Sequence, residues 1–284
     1  MNYIIARIVA FIFILILVLY QPQPTLLMLM LVLGQAHFTI TYLYQYKAKK
    51  IDKKYIINYL IYGVFLFGSY LLYPNFTVLA MITGSYFVLH FLYDERFMLG
   101  DHPHYLNWVE TSPILFLYTG LILKTTEQFS VIYYFGLYAG MSLLAALLLM
   151  YFFKKIPFTR SSGYFLFFSL IILGISFFDV LNFNKNYLYF IILLHYLNWY
   201  VHYFIKQFHN KKFMQPYIIN IIVFNLVSIG LYYFYTSSSG AINQGLSVFY
   251  SRDFFFLWTL LHYVGTFRKT DLYYWNMFSA IKNK

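Results

Sequence analysis

The sequence predicts an all-α integral membrane protein, a polytopic bundle of about ten transmembrane helices in a single domain over residues 1–284. Three observations predict this fold. Hydrophobic residues make up 61% of the chain and charged residues 10%, against about 25% charged in a soluble domain. Apolar stretches of about 20 residues, the length that crosses a bilayer, recur along the chain. Positive charges concentrate in alternate connections between these stretches.

Short polar breaks separate the apolar segments. The breaks include the Gln-Pro-Gln-Pro sequence at 21–24, the basic loop at 47–54 and the polar connection at 94–104. The first segment lacks a small-residue cleavage site and leads directly into the second, so we interpret it as a retained helix rather than a signal peptide. The predicted spans are 3–20, 25–46, 55–73, 76–93, 105–123, 129–153, 164–182, 187–206, 216–236 and 246–267.

The positive charges predict the orientation of these spans. Of the 20 Lys and Arg residues, all but Lys124, Lys185 and Arg252 fall on one side of the predicted membrane. The positive-inside rule then places both termini in the cytoplasm. We therefore expect a multi-pass protein of the cell's inner, cytoplasmic membrane. Topology also explains the net charge of +11, so we expect no nucleic-acid partner.

Cysteine is absent from the sequence, which excludes disulfides, thiolate metal sites and cysteine nucleophiles. Any metal ion must therefore be held by His, Asp or Glu. A phosphate-binding glycine loop, an H-E-x-x-H zinc-protease motif and a G-x-S-x-G elbow are also missing from the sequence. The clustered histidine boxes of fatty-acid desaturases are not present either.

Most of the eight histidines fall within the second, fourth, eighth and tenth predicted spans, which all run inward. At 1.5 Å rise per residue they lie roughly 5–16 Å from the cytoplasmic ends of their helices. Ionisable groups inside membrane spans are costly and usually mark function. His102, His104 and His209 lie in predicted polar connections instead. The candidate metal ligands are His37, His90, His195, His202 and His262.

Carboxylates occur at the same predicted depth. Asp94 follows His90 by four residues and shares its helical face, and Glu95 comes next. Glu110 lies on the fifth span, before Pro113. We take Asp94 and Glu110 as candidate catalytic groups. Glu95 is a candidate partner that orients the ligands, because carboxylates commonly orient imidazoles on a metal.

Two amides complete the candidate site. His195, Asn198 and His202 are spaced three and four apart, which places them on one stripe of the eighth helix. Gln35 precedes His37 by two residues. We therefore consider Asn198 and Gln35 as further residues that orient the ligands.

Several chemistries suit this set of residues. Imidazole ligands with an open position can bind iron and activate oxygen. We expect Fe(II), molecular oxygen and a lipophilic small molecule that enters from the surrounding membrane lipid. One alternative is haem b held between His37 and His195 for electron transfer. Others are a proton-coupled transporter and a scaffold whose polar residues only join helices. The oligomeric state is left open.

The order of the histidine elements resembles the Brp/Blh-type carotene-cleaving dioxygenases, prokaryotic membrane proteins of similar size. The matching elements are Gly34–His37, His90–Asp94, His195–His202, His202–His209 and Leu261–Tyr263. This resemblance implies cleavage of beta-carotene to retinal by a histidine-bound iron.

Two features depart from that family's pattern. The family has paired histidines four residues apart, but position 198 here is Asn, so either His195 takes over as a ligand or the site has one ligand fewer. Thr39, Ile40 and Thr41 stand where the family has an acidic residue soon after the first histidine.

Overall fold

The computed structural model describes residues 3–49, 51–99, 104–124, 130–178, 186–208 and 211–266. These residues form helices joined by short links, and no strand occurs among them, so the predicted all-α fold is confirmed. The helices of the described chain are α1 (Tyr3–Tyr20), α2 (Gln23–Lys47), α3 (Lys53–Leu72), α4 (Phe76–Leu99), α5 (His104–Lys124), α6 (Ser130–Phe152), α7 (Arg160–Phe178), α8 (Tyr187–Gln207), α9 (Lys211–Ser237), α10 (Gly240–Tyr250) and α11 (Arg252–Thr266).

Eight of the described helices are long and apolar enough to cross a membrane. They are α1 to α4 and α6 to α9. The other two predicted spans, 105–123 and 246–267, correspond to α5 and to the end of α10 with α11. The helices therefore fit a multi-pass membrane protein, and ten crossings with the predicted orientation stay a prediction.

The predicted span 246–267 is not one continuous helix. Ser251 is extended, with φ −75° and ψ 148°, and it separates α10 from α11. Polar residues follow the break directly. The Tyr70 hydroxyl donates to the Asp253 carboxylate at 2.5 Å, and Arg252 precedes this acid. Asp253 also lies in the first turn of α11, where a negative charge is favourable.

The described chain divides into two compact units. Unit 1 holds Tyr20–Thr83 and the described part of Ile192–Phe267, and unit 2 holds the described parts of Asn2–Leu19 and Gly84–Ile191. Residues of α4 and α8 belong to both units. The single domain expected from the sequence stays a prediction.

In unit 1, α2 packs against α9 and α11 packs against α3. Polar contacts join α2 and α9. The Ser228 hydroxyl donates to the Val32 carbonyl at 2.9 Å, and the Asn220 amide donates to the Tyr44 hydroxyl at 3.2 Å. These bonds satisfy polar groups that lipid cannot solvate.

In unit 2, glycines bring α5 and α6 into close contact. A Cβ added at Gly136 would lie 2.8 Å from the Phe116 carbonyl oxygen and 2.9 Å from the Gly120 Cα. A Cβ at Gly140 would lie 2.5 Å from the Leu117 Cγ. Gly136 and Gly140 are four residues apart, the small-residue spacing that packs helices closely in membranes.

Candidate metal centre

Unit 1 contains a buried cluster of three histidines from three helices. His37 lies on α2, His195 on α8 and His262 on α11. The ring centre of His37 is 5.1 Å from that of His195 and 5.3 Å from that of His262. Their exposed fractions are 3%, 1% and 2%. We call His37, His195 and His262 the histidine cluster.

Gly34, one turn before His37, explains how these helices approach. A Cβ at Gly34 would lie 2.4 Å from the Phe255 Cε2 and 2.7 Å from the Tyr196 hydroxyl oxygen. A side chain at position 34 would therefore displace the ring ends of Tyr196 of α8 and Phe255 of α11, which pack on α2 at this level. Sequence reasoning missed this role. The available signal was a glycine inside a predicted span, which often marks close helix packing.

Aromatic side chains surround the histidine cluster. The ring centres of Phe38 and His262 are 4.7 Å apart, and those of Tyr196 and His37 are 5.0 Å apart. Tyr42 lies 5.8 Å from His262 by the same measure. These rings hold the imidazoles in place and keep bulk water away from them.

The other predicted site residues of unit 1 lie near the cluster or on its helices. The ring centre of His202 is 6.3 Å from that of Trp199, and Asn198 is fully buried. The Gln35 amide donates to the Phe249 carbonyl of α10 at 2.7 Å. The predicted roles of His202 as a ligand, and of Asn198 and Gln35 in orienting the ligands, stay predictions.

In unit 2, His90 and Asp94 form a buried pair on α4. The His90 Nε2 lies 3.3 Å from an Asp94 carboxylate oxygen, as expected for residues four apart on a helix. The pair offers one nitrogen and one oxygen close enough to bind the same ion. The expected convergence of His90 with the histidines of unit 1 stays a prediction.

Glu110 is the centre of a hydrogen-bond network within unit 2. Its carboxylate accepts bonds from Arg96 at 2.6 Å, from Ser162 at 2.5 Å and from the Tyr151 hydroxyl. The guanidinium carbon of Arg96 also lies 3.8 Å from the ring centre of Phe165. These contacts tie α4, α5, α6 and α7 together, and the predicted catalytic role of Glu110 stays a prediction.

Arg7 and Glu95 form a second buried ion pair in unit 2. Both side chains are fully buried, and the Arg7 guanidinium donates to the Glu95 carboxylate. The same guanidinium contacts the Tyr3 hydroxyl at 3.0 Å and the Met98 sulfur at 2.9 Å. The sequence alone indicates for Arg7 only a positive charge on the predicted cytoplasmic side. The orienting role predicted for Glu95 stays a prediction.

The side chains of the remaining three histidines lie outside the part of the chain that the structure describes. His102 and His209 lie outside the described residues. His104 begins α5, and its side chain is likewise outside the described set.

The spacing of His37 from each of the other two histidines fits a pair of ligands on one metal ion. Metal–nitrogen bonds of about 2.1 Å place two adjacent imidazole ligands with ring centres about 4.6–5.3 Å apart. The observed 5.1 Å and 5.3 Å agree with this spacing. Rotation of an imidazole about its Cβ–Cγ bond redirects its nitrogens while the ring centre moves little, so binding of one ion by all three histidines would require rotations of this kind.

The donor set is also chemically consistent. Three imidazoles without thiolates suit iron, copper, zinc or nickel. Comparisons of the chain with family models, with curated proteins and with solved structures found no match.

Proposed function

We propose that this chain is an integral membrane protein in which His37, His195 and His262 hold one iron ion, Fe(II) at rest. We further propose that this centre oxidises a lipophilic polyene with molecular oxygen. The observation that carries the proposal is the spacing of the buried His37 ring from two rings on other helices, 5.1 Å from His195 and 5.3 Å from His262. Three protein ligands leave coordination positions open, which is the arrangement of catalytic rather than structural metal sites.

Different residues would bind the iron ion and contact the substrate. The three histidines act as neutral ligands, and iron, when bound, supplies the activation of oxygen. Phe38, Tyr42 and Tyr196 supply flat apolar faces against which a conjugated chain can stack. In unit 2, Asp94 orients the imidazole of His90 through their 3.3 Å contact.

The spacing favours adjacent ligands over the two faces of a haem. Two imidazoles on opposite sides of one iron would have ring centres about 6.5 Å apart, given metal–nitrogen bonds of about 2.1 Å. His37 and His195 are 5.1 Å apart by this measure. A mononuclear iron without haem therefore fits this pair better than the haem b alternative.

The substrate class is proposed from two sources. The order of the histidine elements resembles the carotene-cleaving dioxygenases, which implies beta-carotene as substrate and retinal as product. The aromatic surroundings of His37 and His262 suit a polyene and exclude water. A substrate of this kind would enter from the bilayer.

We also propose ten membrane crossings with both termini in the cytoplasm of the cell's inner membrane. The eight long apolar helices support a multi-pass arrangement. The segregation of Lys and Arg supports the orientation. In that orientation the histidine cluster lies in the cytoplasmic half of the bilayer.

The experiment is to purify the protein in detergent with Fe(II) and measure iron per chain and conversion of beta-carotene under oxygen. We expect one iron per chain and an aldehyde product. Bound iron and conversion of beta-carotene should both be lost in each of three variants, His37→Ala, His195→Ala and His262→Ala. Ser169→Ala, a buried change in unit 2, is the control and should retain both. A preparation that is active on beta-carotene yet free of iron contradicts the proposal.

A further inference from the structure

A stripe of aromatic rings leads away from the histidine cluster along α8. His195, Trp199 and Tyr203 are each four residues apart and so share one face of the helix. The Trp199 ring centre is 6.1 Å from that of His37 and 6.4 Å from that of His195. Trp199 and Tyr203 stack at 4.9 Å with an interplanar angle of 19°. Trp199 therefore links two of the proposed ligands to the next ring.

The same line of rings continues to the end of α2. Tyr203 lies 5.8 Å from Tyr217 of α9, and Tyr217 lies 5.8 Å from Tyr44 of α2, both measured between ring centres. The Lys47 ammonium lies 5.4 Å from the Tyr44 ring, and Lys47 is exposed. Tyr217 is buried and Tyr44 is half-buried. The rings thus run from the buried cluster to a solvated, lysine-bearing helix end.

Trp and Tyr are the aromatic side chains that lose an electron most readily, and rings in near contact pass single electrons in short steps. We propose that Trp199, Tyr203, Tyr217 and Tyr44 form a path that carries oxidising equivalents from the iron centre to this helix end. The path rests on the proposed function, because the oxidised centre is its source. It would protect the ligands when the centre is oxidised without a substrate.

The electrons balance with a peroxide as oxidant. The O–O bond breaks as the peroxide takes one electron from the ferrous ion and one from the path. The Tyr44 phenolic proton and one proton from solvent convert the two oxygens of hydrogen peroxide to two waters. Iron is left ferric and Tyr44 is left as a neutral radical. A thiol then returns one hydrogen atom to Tyr44.

A second line of rings leaves the cluster at His262 and provides an internal comparison. Tyr42 lies 5.8 Å from His262, Tyr59 lies 5.6 Å from Tyr42, and Tyr55 lies 6.1 Å from Tyr59. This line contains only tyrosines, whereas the first line begins at Trp199, which lies near two of the proposed ligands. We therefore assign the path to the line through Trp199.

The test uses the full-length, iron-loaded protein, treated with hydrogen peroxide in the absence of polyene. A nitroso spin trap marks radical sites, and tandem mass spectrometry locates the adducts. We expect adducts on Tyr44 and Tyr203. Trp199→Phe should reduce Tyr44 adducts several-fold while iron per chain stays unchanged. Tyr235→Phe, at the opposite end of α9 from Tyr217, is the matched control and should leave the adducts unchanged.

The outcomes separate this proposal from the proposed function. Protein that binds no iron overturns both. Iron-loaded protein whose Tyr44 adducts persist in Trp199→Phe, or whose adducts fall on Tyr59 and Tyr55 instead, overturns the path alone. If Trp199→Phe disturbs the cluster and loses iron, Tyr203→Phe replaces it, and unchanged Tyr44 adducts in that variant overturn the path.

Discussion

The two units bury ionisable side chains in opposite ways. In unit 2, the charges of Arg7 and Arg96 are each matched by a carboxylate, Glu95 and Glu110 respectively. In unit 1, the buried imidazoles of the histidine cluster lie among aromatic rings, with ring centres spaced as two ligands of one ion would be. The sequence alone does not distinguish these two arrangements, because both consist of polar residues within predicted spans.

The difference shows what burial of an ionisable group indicates. An ion pair in a low-dielectric interior satisfies its own charges and ties helices together, so it needs no ligand. Neutral imidazoles that approach one another from separate helices have no charge to match and can instead offer nitrogen donors to a metal ion. Intramembrane polarity therefore marks a candidate function only after the partners of each group are known.

Breaking the Arg7–Glu95 pair should give the largest effect on stability. Glu95→Gln leaves the Arg7 guanidinium buried without its countercharge, which should lower the free energy of unfolding by about 3–5 kcal/mol. Replacing both residues, Arg7→Met with Glu95→Leu, should recover most of this loss. Titration of the detergent-solubilised protein with SDS measures the free energy of unfolding of the single and the double variant. Folded Glu95→Gln protein should keep its iron, and loss of iron would instead support the orienting role predicted for Glu95.

Removing a cluster histidine should weaken iron binding strongly. Even residues that only orient a ligand contribute about 10–100-fold to metal affinity, so His37→Ala should weaken iron binding by at least that factor. Competition with a chelator of known affinity measures it. His202→Ala is measured alongside it. A loss of iron affinity equal to that of His37→Ala would indicate that His202 is also a ligand. Wild-type affinity in His37→Ala would contradict the shared site.

A methyl group at Gly34 should disturb the cluster through packing alone. Gly34→Ala forces Phe255 and Tyr196 to move, which should cost about 1–3 kcal/mol of stability and lower iron affinity as well. Gly68→Ala on α3 is the matched control, because a Cβ there meets nothing within 4 Å. Unfolding and chelator competition are measured on both variants. If Gly34→Ala and Gly68→Ala have the same stability and the same iron affinity, the close approach at Gly34 does not position the histidines.

The smallest expected effect is at the edge of the Glu110 network. Tyr151→Phe removes one hydrogen bond to Glu110 while those from Arg96 and Ser162 remain. The loss of stability should be about 1.5 kcal/mol, the low end for hydrogen bonds to charged groups. Iron content and beta-carotene turnover should not change. Reduced turnover with full iron would favour the predicted catalytic role of Glu110.

The helical fold was largely predictable, because apolar length and polar breaks are local properties of the sequence. The break at Ser251 was not predicted, because the apolar stretch continues through it; the contact of Asp253 with Tyr70 beside it joins segments far apart in the sequence. Helical spacing predicts a depth for His37, His195 and His262, but the distances between their rings depend on which helix faces pack together. The pairing of Arg7 with Glu95 and the role of Gly34 were missed for the same reason: both partners lie on distant segments.

X-ray absorption at the iron K edge of the iron-loaded protein tests the central claim most directly. We predict one iron per chain, with scattering from three imidazoles at metal–nitrogen distances of about 2.0–2.2 Å. His37→Ala, His195→Ala and His262→Ala should each lose this signal. A protein that binds no iron, or a spectrum unchanged by all three substitutions, would contradict the assignment of the histidine cluster as the metal centre.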